Sequence, residues 1–157
     1  MKASFLAVSA IFIALLLGTP RTGLPQDANT TFQLKVTVHY SGAGSVDEQY
    51  KIYVVLWDSA MFVKGSGMAP AAVQSTSSKD GTLTFDDVKK SPVYVSAAYD
   101  PSGQWSAQSP PPDGSSLGVY SKTPGTPEPI GLKAGRTTSI ELPFDDTVKM
   151  KGGHPTQ

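Results

Sequence analysis

The chain has 157 residues, with 13 basic and 13 acidic side chains, no cysteine, 15 glycines and 13 prolines. The absence of cysteine excludes disulfide bonds and thiol chemistry. The net charge is weak, and the charged residues are spread evenly along the sequence. This argues against nucleic-acid or anionic-membrane binding, because both need clustered Lys and Arg. The glycine and proline content favours strands and turns over helices.

An apolar run of 13 residues, 5–17, follows Lys2. Its length fits the hydrophobic region of a signal peptide and is too short to span a bilayer. We therefore predict a signal peptide over residues 1–23, with a cleavage site that lies no later than residue 28, and a secreted, periplasmic or cell-surface protein. The alternative is an uncleaved N-terminal anchor, which is the only membrane contact that the sequence supports.

Two strands are predicted first in the mature chain. Residues 31–40 alternate between apolar and polar side chains, which is typical of a half-buried strand with His39 on its wet face. Residues 50–57 are apolar at nearly every position. This second strand must be covered on both faces, or its outer residues Tyr53, Val55 and Trp57 form a functional patch.

The most informative segment begins at Asp80-Gly81. It predicts a β-hairpin, with strands within residues 79–88 and 91–100 joined by a short turn, and with Pro92 at the first residue of the second strand. Three weaker strands complete the pattern: an edge strand over 68–74 and strands over 117–120 and 137–144. Residues 145–157 are predicted to be a flexible tail.

About seven short strands with turn chemistry between them, and no convincing helix, predict an all-β fold. We expect a single two-sheet antiparallel sandwich over residues 31–144, preceded by the signal peptide. A domain of this size without disulfides must be stabilised by packing between its sheets.

Several short motifs in this region carry a family resemblance. They are Asp80-Gly81, Phe85, Val88, Tyr94-Val95, Leu132-Lys133-Ala134-Gly135 and a final strand Thr138-Ser139-Ile140-Glu141-Leu142. This pattern resembles the prealbumin-like sandwich of carboxypeptidase regulatory-like domains. The strand ends Val55-Leu56-Trp57-Asp58 and Ala98-Tyr99-Asp100 are also similar to those of exported bacterial domains of uncharacterised function. The resemblance implies a prealbumin-like fold.

The residue inventory argues against an enzyme. The only histidines are His39 and His154, and the second lies in the predicted tail. No nucleophile elbow, zinc-protease motif or phosphate-binding glycine loop occurs. We therefore predict no catalytic residues and no required cofactor.

Acidic side chains at strand ends suggest a calcium site. Asp58 and Asp100 each follow a predicted strand, and Ca²⁺ prefers carboxylate and loop carbonyl oxygens. If the two strand ends converge at one pole of the sandwich, these carboxylates can meet. The ordinary alternative is that each Asp satisfies N–H groups of its own turn.

Aromatic side chains suggest a binding surface. Trp57, Trp105 and Tyr120 are the candidate ligand-binding residues, because exposed rings stack on sugars or anchor protein partners. The alternative is that Trp57 and the tyrosines fill the core. Trp105 lies in a polar loop without apolar neighbours in sequence, so we expect it to be exposed or to contact a partner.

These observations predict an exported, noncatalytic β-sandwich that serves as an accessory, structural or protein-binding module of the cell envelope. Its expected partner is an envelope or extracellular protein. The alternative is a carbohydrate-binding module that recognises a glycan through its loop aromatics.

Overall fold

The computed structural model describes residues 31–64, 67–123 and 125–156. The predicted signal peptide lies outside the described residues. The described chain forms nine strands and one short 3-10 helix, Ala60–Lys64. The strands are β1 (Phe32–Tyr40), β2 (Ile52–Trp57), β3 (Ala72–Thr76), β4 (Thr82–Val88), β5 (Tyr94–Tyr99), β6 (Ser116–Val119), β7 (Thr137–Phe144), β8 (Lys149–Lys151) and β9 (His154–Thr156).

These strands form two sheets, which confirms the all-β, two-sheet prediction. The smaller sheet has the order β4-β1-β7 and the larger one the order β3-β2-β5-β6-β8-β9. The predicted alternation of β1 is also confirmed, since Leu34, Val36 and Val38 are buried while Lys35 and His39 are exposed.

The prediction of a purely antiparallel sandwich is wrong at β1 and β7, which pair in parallel from Gln33–Thr137 to Tyr40–Phe144. Between these strands the chain forms β2 to β6, and β6, the last of them, finishes at the end of the sandwich where β1 begins. Both strands therefore run in the same direction. Alternation identifies a strand but does not give the direction of its neighbour.

The predicted hairpin of β4 and β5 is also wrong, because β4 pairs with β1 and β5 pairs with β2 in the other sheet. The two strands therefore lie in different sheets, and each contributes side chains to the core between them. Phe85 and Val95 are thus buried from opposite sides of one core. A period of two is the same in both arrangements, so the pattern could not separate them.

The core lies between the two sheets and contains side chains from both. Leu34, Val36 and Phe85 from the smaller sheet belong to one buried cluster with Val54 and Val95 from the larger sheet. This shared interior holds the layers together without a covalent link, because the chain contains no cysteine.

The sequence predicted no strand after Phe144, but the structure places β8 and β9 there. Met150 is buried, and its backbone N–H donates to the carbonyl of Ser115 at 2.9 Å. The strands are three residues long and largely polar. β8 and β9 are defined by backbone pairing, and strands this short leave no periodic signal in the sequence.

The sandwich has two distinct ends. We call the end where β1 begins at Phe32 the entry end, and the end where β1 finishes at Tyr40 the far end. Charge is not evenly spread between them, which corrects the expectation from the sequence. By strand direction the entry end has six basic residues, Lys64, Lys89, Lys90, Lys122, Lys133 and Arg136, and four acidic ones, Asp58, Asp86, Asp87 and Glu128.

The far end has the opposite balance. Its four basic residues are Lys51, Lys79, Lys149 and Lys151, and its eight acidic ones are Asp47, Glu48, Asp80, Asp100, Asp113, Glu141, Asp145 and Asp146. The formal charge is therefore +2 at the entry end and −4 at the far end, since the ladder directions bring together charges that are distant in sequence.

Candidate functional site

The outer face of β2 carries two aromatic pairs. Trp57 stacks on Phe62 of the 3-10 helix, with ring centroids 4.9 Å apart and an interplanar angle of 3°. Tyr53 meets Trp105 edge to face, with centroids also 4.9 Å apart. The four residue steps from Tyr53 to Trp57 span roughly 13 Å of strand. Val55 between them is buried, but Tyr53 and Trp57 remain partly exposed, so the Trp105 loop and the 3-10 helix cover this face only in part.

An apolar patch surrounds the first pair, and we define it as Trp57, Met61, Phe62 and Val73. Met61 and Val73 are the two large apolar side chains classed as exposed in the described part of the chain, at 45% and 36%. Val73 lies opposite Val55 in the ladder of β2 and β3, so it shares the face of Trp57. The Trp57 Nε1 donates to the Ser96 hydroxyl at 2.9 Å, which fixes the indole over β5.

Trp105 is positioned by Asp100, whose side chain is almost completely buried. One carboxylate oxygen accepts a hydrogen bond from the Ser102 N–H at 2.8 Å. The other accepts from the Ser102 hydroxyl at 2.6 Å and from the N–H groups of Gln104 and Trp105 at 3.1 and 2.9 Å. Burial raises the pKa of Asp100, but these donors outweigh it and hold the pKa below its ordinary value.

Trp105 is half-buried, and its contact with Tyr53 supplies the apolar neighbour that the polar loop lacks. Its Nε1 donates to the Ser109 carbonyl at 2.9 Å. The loop is therefore folded on itself and seated on the sheet. The sequence shows the ring but not this contact, since Tyr53 lies far away along the chain.

The structure separates Asp58 from Asp100. The strands β2 and β5 are antiparallel, with Trp57 opposite Tyr94 and Ile52 opposite Tyr99. Asp58 therefore follows β2 at the entry end and Asp100 follows β5 at the far end, roughly 20 Å apart. The expectation that the two meet at one pole is wrong, because the carboxyl ends of antiparallel neighbours point in opposite directions.

Each of these carboxylates already has protein partners. Asp58 forms an ion pair with Lys90 at 2.7 Å, and Asp100 accepts four hydrogen bonds from its own loop. Within the described ranges, no cluster of three or more His, Asp or Glu side chains has metal-binding geometry. The arrangement is that of a structural turn at Asp100 and a surface ion pair at Asp58.

Tyr120 does not share the face of the two tryptophans. Its N–H donates to the Val95 carbonyl at 2.9 Å, directly after β6, and its side chain packs against the hydrophobic core. Trp57 and Trp105 thus lie on the outer face of the larger sheet, whereas Tyr120 lies on the inner side.

His39 on β1 lies at the centre of a polar contact that joins β7 to the turn before β4 on the smaller sheet. Its Nδ1 is 2.8 Å from the Asp80 carboxylate, and its Nε2 is 2.6 Å from that of Glu141. The hydrogen bond with Asp80, followed by that with Glu141, raises the pKa of His39 above its ordinary value. A protonated ring can donate to both carboxylates at once.

Asp146 is the polar residue that sequence reasoning missed. Its Oδ1 accepts from the Tyr40 hydroxyl at 2.7 Å and the Ser116 hydroxyl at 2.5 Å, while Oδ2 accepts from the Ala43 N–H at 2.9 Å. It therefore ties β1 to β6 across the two sheets. The Ser116 hydrogen bond is the largest influence that holds the pKa of Asp146 well below its ordinary value. Burial, followed by the bond to Asp146, raises the pKa of Tyr40 to about 12.

Comparison with known proteins gives no match to a family model, to a curated protein or to a solved structure. Among the helices in the part of the chain described here, none is long and apolar enough to cross a bilayer.

Proposed function

We propose that the protein is an exported, noncatalytic binding module of the cell envelope, of the prealbumin-like type that its motifs resemble, and that it contacts another protein. The observation that carries this proposal is the apolar patch of Trp57, Met61, Phe62 and Val73. Exposed apolar clusters on a folded domain mark interaction sites, because they are costly to leave in water.

The composition of the patch favours a protein partner. A stacked indole and phenyl ring form a rigid centre, and aromatic anchors of this kind contribute most of the binding energy in protein interfaces. Met61 is next to Phe62 in the 3-10 helix, Val73 shares the sheet face of Trp57, and β3 is an edge strand of the larger sheet. A partner can thus cover apolar side chains and lie along a strand edge in one contact.

Site-specific crosslinking in the native envelope tests this proposal. A photo-reactive residue at position 73 should form an adduct with one defined protein, and the change Met61→Ser should reduce that adduct. The matched control is the same reactive residue at Lys35, which is exposed on the outer face of the other sheet. Equal adducts from both positions, or none from position 73, would contradict the proposal.

A glycan is the second candidate partner. Trp57 and Trp105 lie on one face, and their pairs are separated by roughly 13 Å along β2. Rings on a common face can stack on successive parts of a sugar chain. Binding on a glycan array that is lost in Trp105→Ala and in Trp57→Ala would favour this candidate over the protein partner.

A further inference from the structure

Two shallow grooves open at the entry end on either side of Phe32. The first, of about 620 Å³, is lined by Phe32, Pro92 and Tyr94 together with Lys89 and Lys90. The second, of about 330 Å³, brings Arg136 beside Phe32 and Asp86. Cationic, acidic and aromatic side chains therefore lie around the same end of the sandwich.

The cations at this end differ in how they are paired. Lys90 is neutralised by Asp58, and Lys122 by Glu128. The exposed side chains of Lys89, Lys133 and Arg136 have no ion-pair partner among the described residues.

The two nearby carboxylates offset part of this charge. Asp86 accepts a hydrogen bond from Gln33 at 2.5 Å and Asp87 is exposed, and both line the groove of Arg136. The net formal charge of the entry end remains +2, against −4 at the far end.

We propose that the entry end docks on an anionic membrane surface through Lys89, Lys133 and Arg136, with Phe32, Pro92 and Tyr94 at the level of the lipid headgroups. Exposed Lys and Arg are attracted to anionic headgroups, and aromatic side chains favour the interface between headgroups and acyl chains. Repulsion turns the far end away from the same surface, so the charge distribution also sets an orientation. This inference uses residues other than the apolar patch and does not depend on the proposed protein contact.

The test is sedimentation of the protein, purified after export, with two kinds of vesicle. One contains equal parts of phosphatidylglycerol and phosphatidylcholine, and the other contains phosphatidylcholine alone. We expect binding to the anionic vesicles only. Each Lys or Arg near such a surface contributes about fivefold to partitioning, so the triple variant Lys89→Gln, Lys133→Gln and Arg136→Gln should bind at least tenfold more weakly.

The matched control neutralises Lys35, Lys51 and Lys151, which lie away from the entry end, and should bind the vesicles as the unmodified protein does. Raising the NaCl concentration from 20 to 500 mM should release the unmodified protein, which tests the inference even if the triple variant fails to fold.

Equal binding to both vesicles, equal loss in the control variant, or no binding at low salt would overturn the inference. Sedimentation without vesicles would do so too, because it would indicate head-to-tail self-association of the oppositely charged ends. Any of these results leaves the crosslinking test at position 73 unaffected.

Discussion

Gly118 on β6 faces Phe144 on β7 across the two sheets, and a β-carbon at Gly118 would lie 2.6 Å from the Cβ of Phe144. This is closer than two carbon atoms can approach without a shift of backbone. The two sheets therefore approach each other closely at this point. A glycine within a strand is typical of such a close approach by another element.

Replacing Gly118 by Ala should lower the free energy of unfolding by about 1 to 3 kcal/mol, as overpacking of a core does. Urea denaturation measures the change. Gly131→Ala is the matched control, since a β-carbon there meets nothing within 4 Å, and its stability should be unchanged or slightly higher. An equally stable Gly118→Ala would show that the sheets can separate locally at little cost.

Replacing Asp100 by Ala should release the Trp105 loop. Four donors lose a buried acceptor. Because unsatisfied buried groups are costly, the free energy of unfolding should fall by about 1 to 3 kcal/mol. In a Trp57→Phe background, Trp105 fluorescence should shift to the red and become more accessible to acrylamide. Ser102→Ala, which removes one side-chain donor, should have a smaller effect. An unchanged emission spectrum in Asp100→Ala would mean that Tyr53 alone holds the ring.

The Asp146 contact predicts how stability depends on acid. Because the pKa of Asp146 is lower in the folded state, its ionised form stabilises the fold above its unfolded pKa of about 3.9, and this contribution is lost as the pH falls towards the folded value. The unfolding free energies of the wild type and Asp146→Asn should therefore differ most near pH 7 and converge below about pH 4.

Thermal unfolding across that pH range measures the difference. Asp113→Asn, the matched control, removes an exposed carboxylate near the same end and should have about the stability of the wild type. If the difference in unfolding free energy between wild type and Asp146→Asn stayed constant with pH, Asp146 would act through its shape and not through its charge.

The His39 contact predicts the opposite sign. The pKa of His39 is raised by Asp80 and Glu141, so its protonated form stabilises the fold below the unfolded pKa, and this contribution is lost as the pH rises through the folded value. An NMR titration should give a His39 pKa above 6.5, and Glu141→Gln should lower it. The stability advantage over His39→Gln should be larger at pH 5 than at pH 9. A His39 pKa at or below 6.5 would refute this interpretation.

The sequence predicts strands well where one face is buried and the other is wet. Leu34, Val36 and Val38 alternate with polar residues, and only an extended strand at the core surface satisfies that pattern. It cannot predict the partner of a strand, because Phe85 and Val95 have the same period whether they lie in one sheet or face each other across the core.

The candidate site depends on contacts that are distant in sequence. Trp57 was identifiable as an outer residue of β2, but its stacking on Phe62 depends on a 3-10 helix with no periodic signal. Asp100 was identifiable as a strand-end carboxylate, yet its turn-forming role and its separation from Asp58 follow from the antiparallel register of β2 and β5.

The position of β1 has a consequence for biosynthesis. Of the nine described strands it is the first to leave the ribosome, but its partners in β4 lie more than 40 residues later in the chain and those in β7 more than 100. Such distant pairings form slowly, and the nascent polypeptide must remain without its native tertiary structure until almost all of it has been translated. A chain organised in this way can pass through a narrow channel in an unfolded state during most of its synthesis.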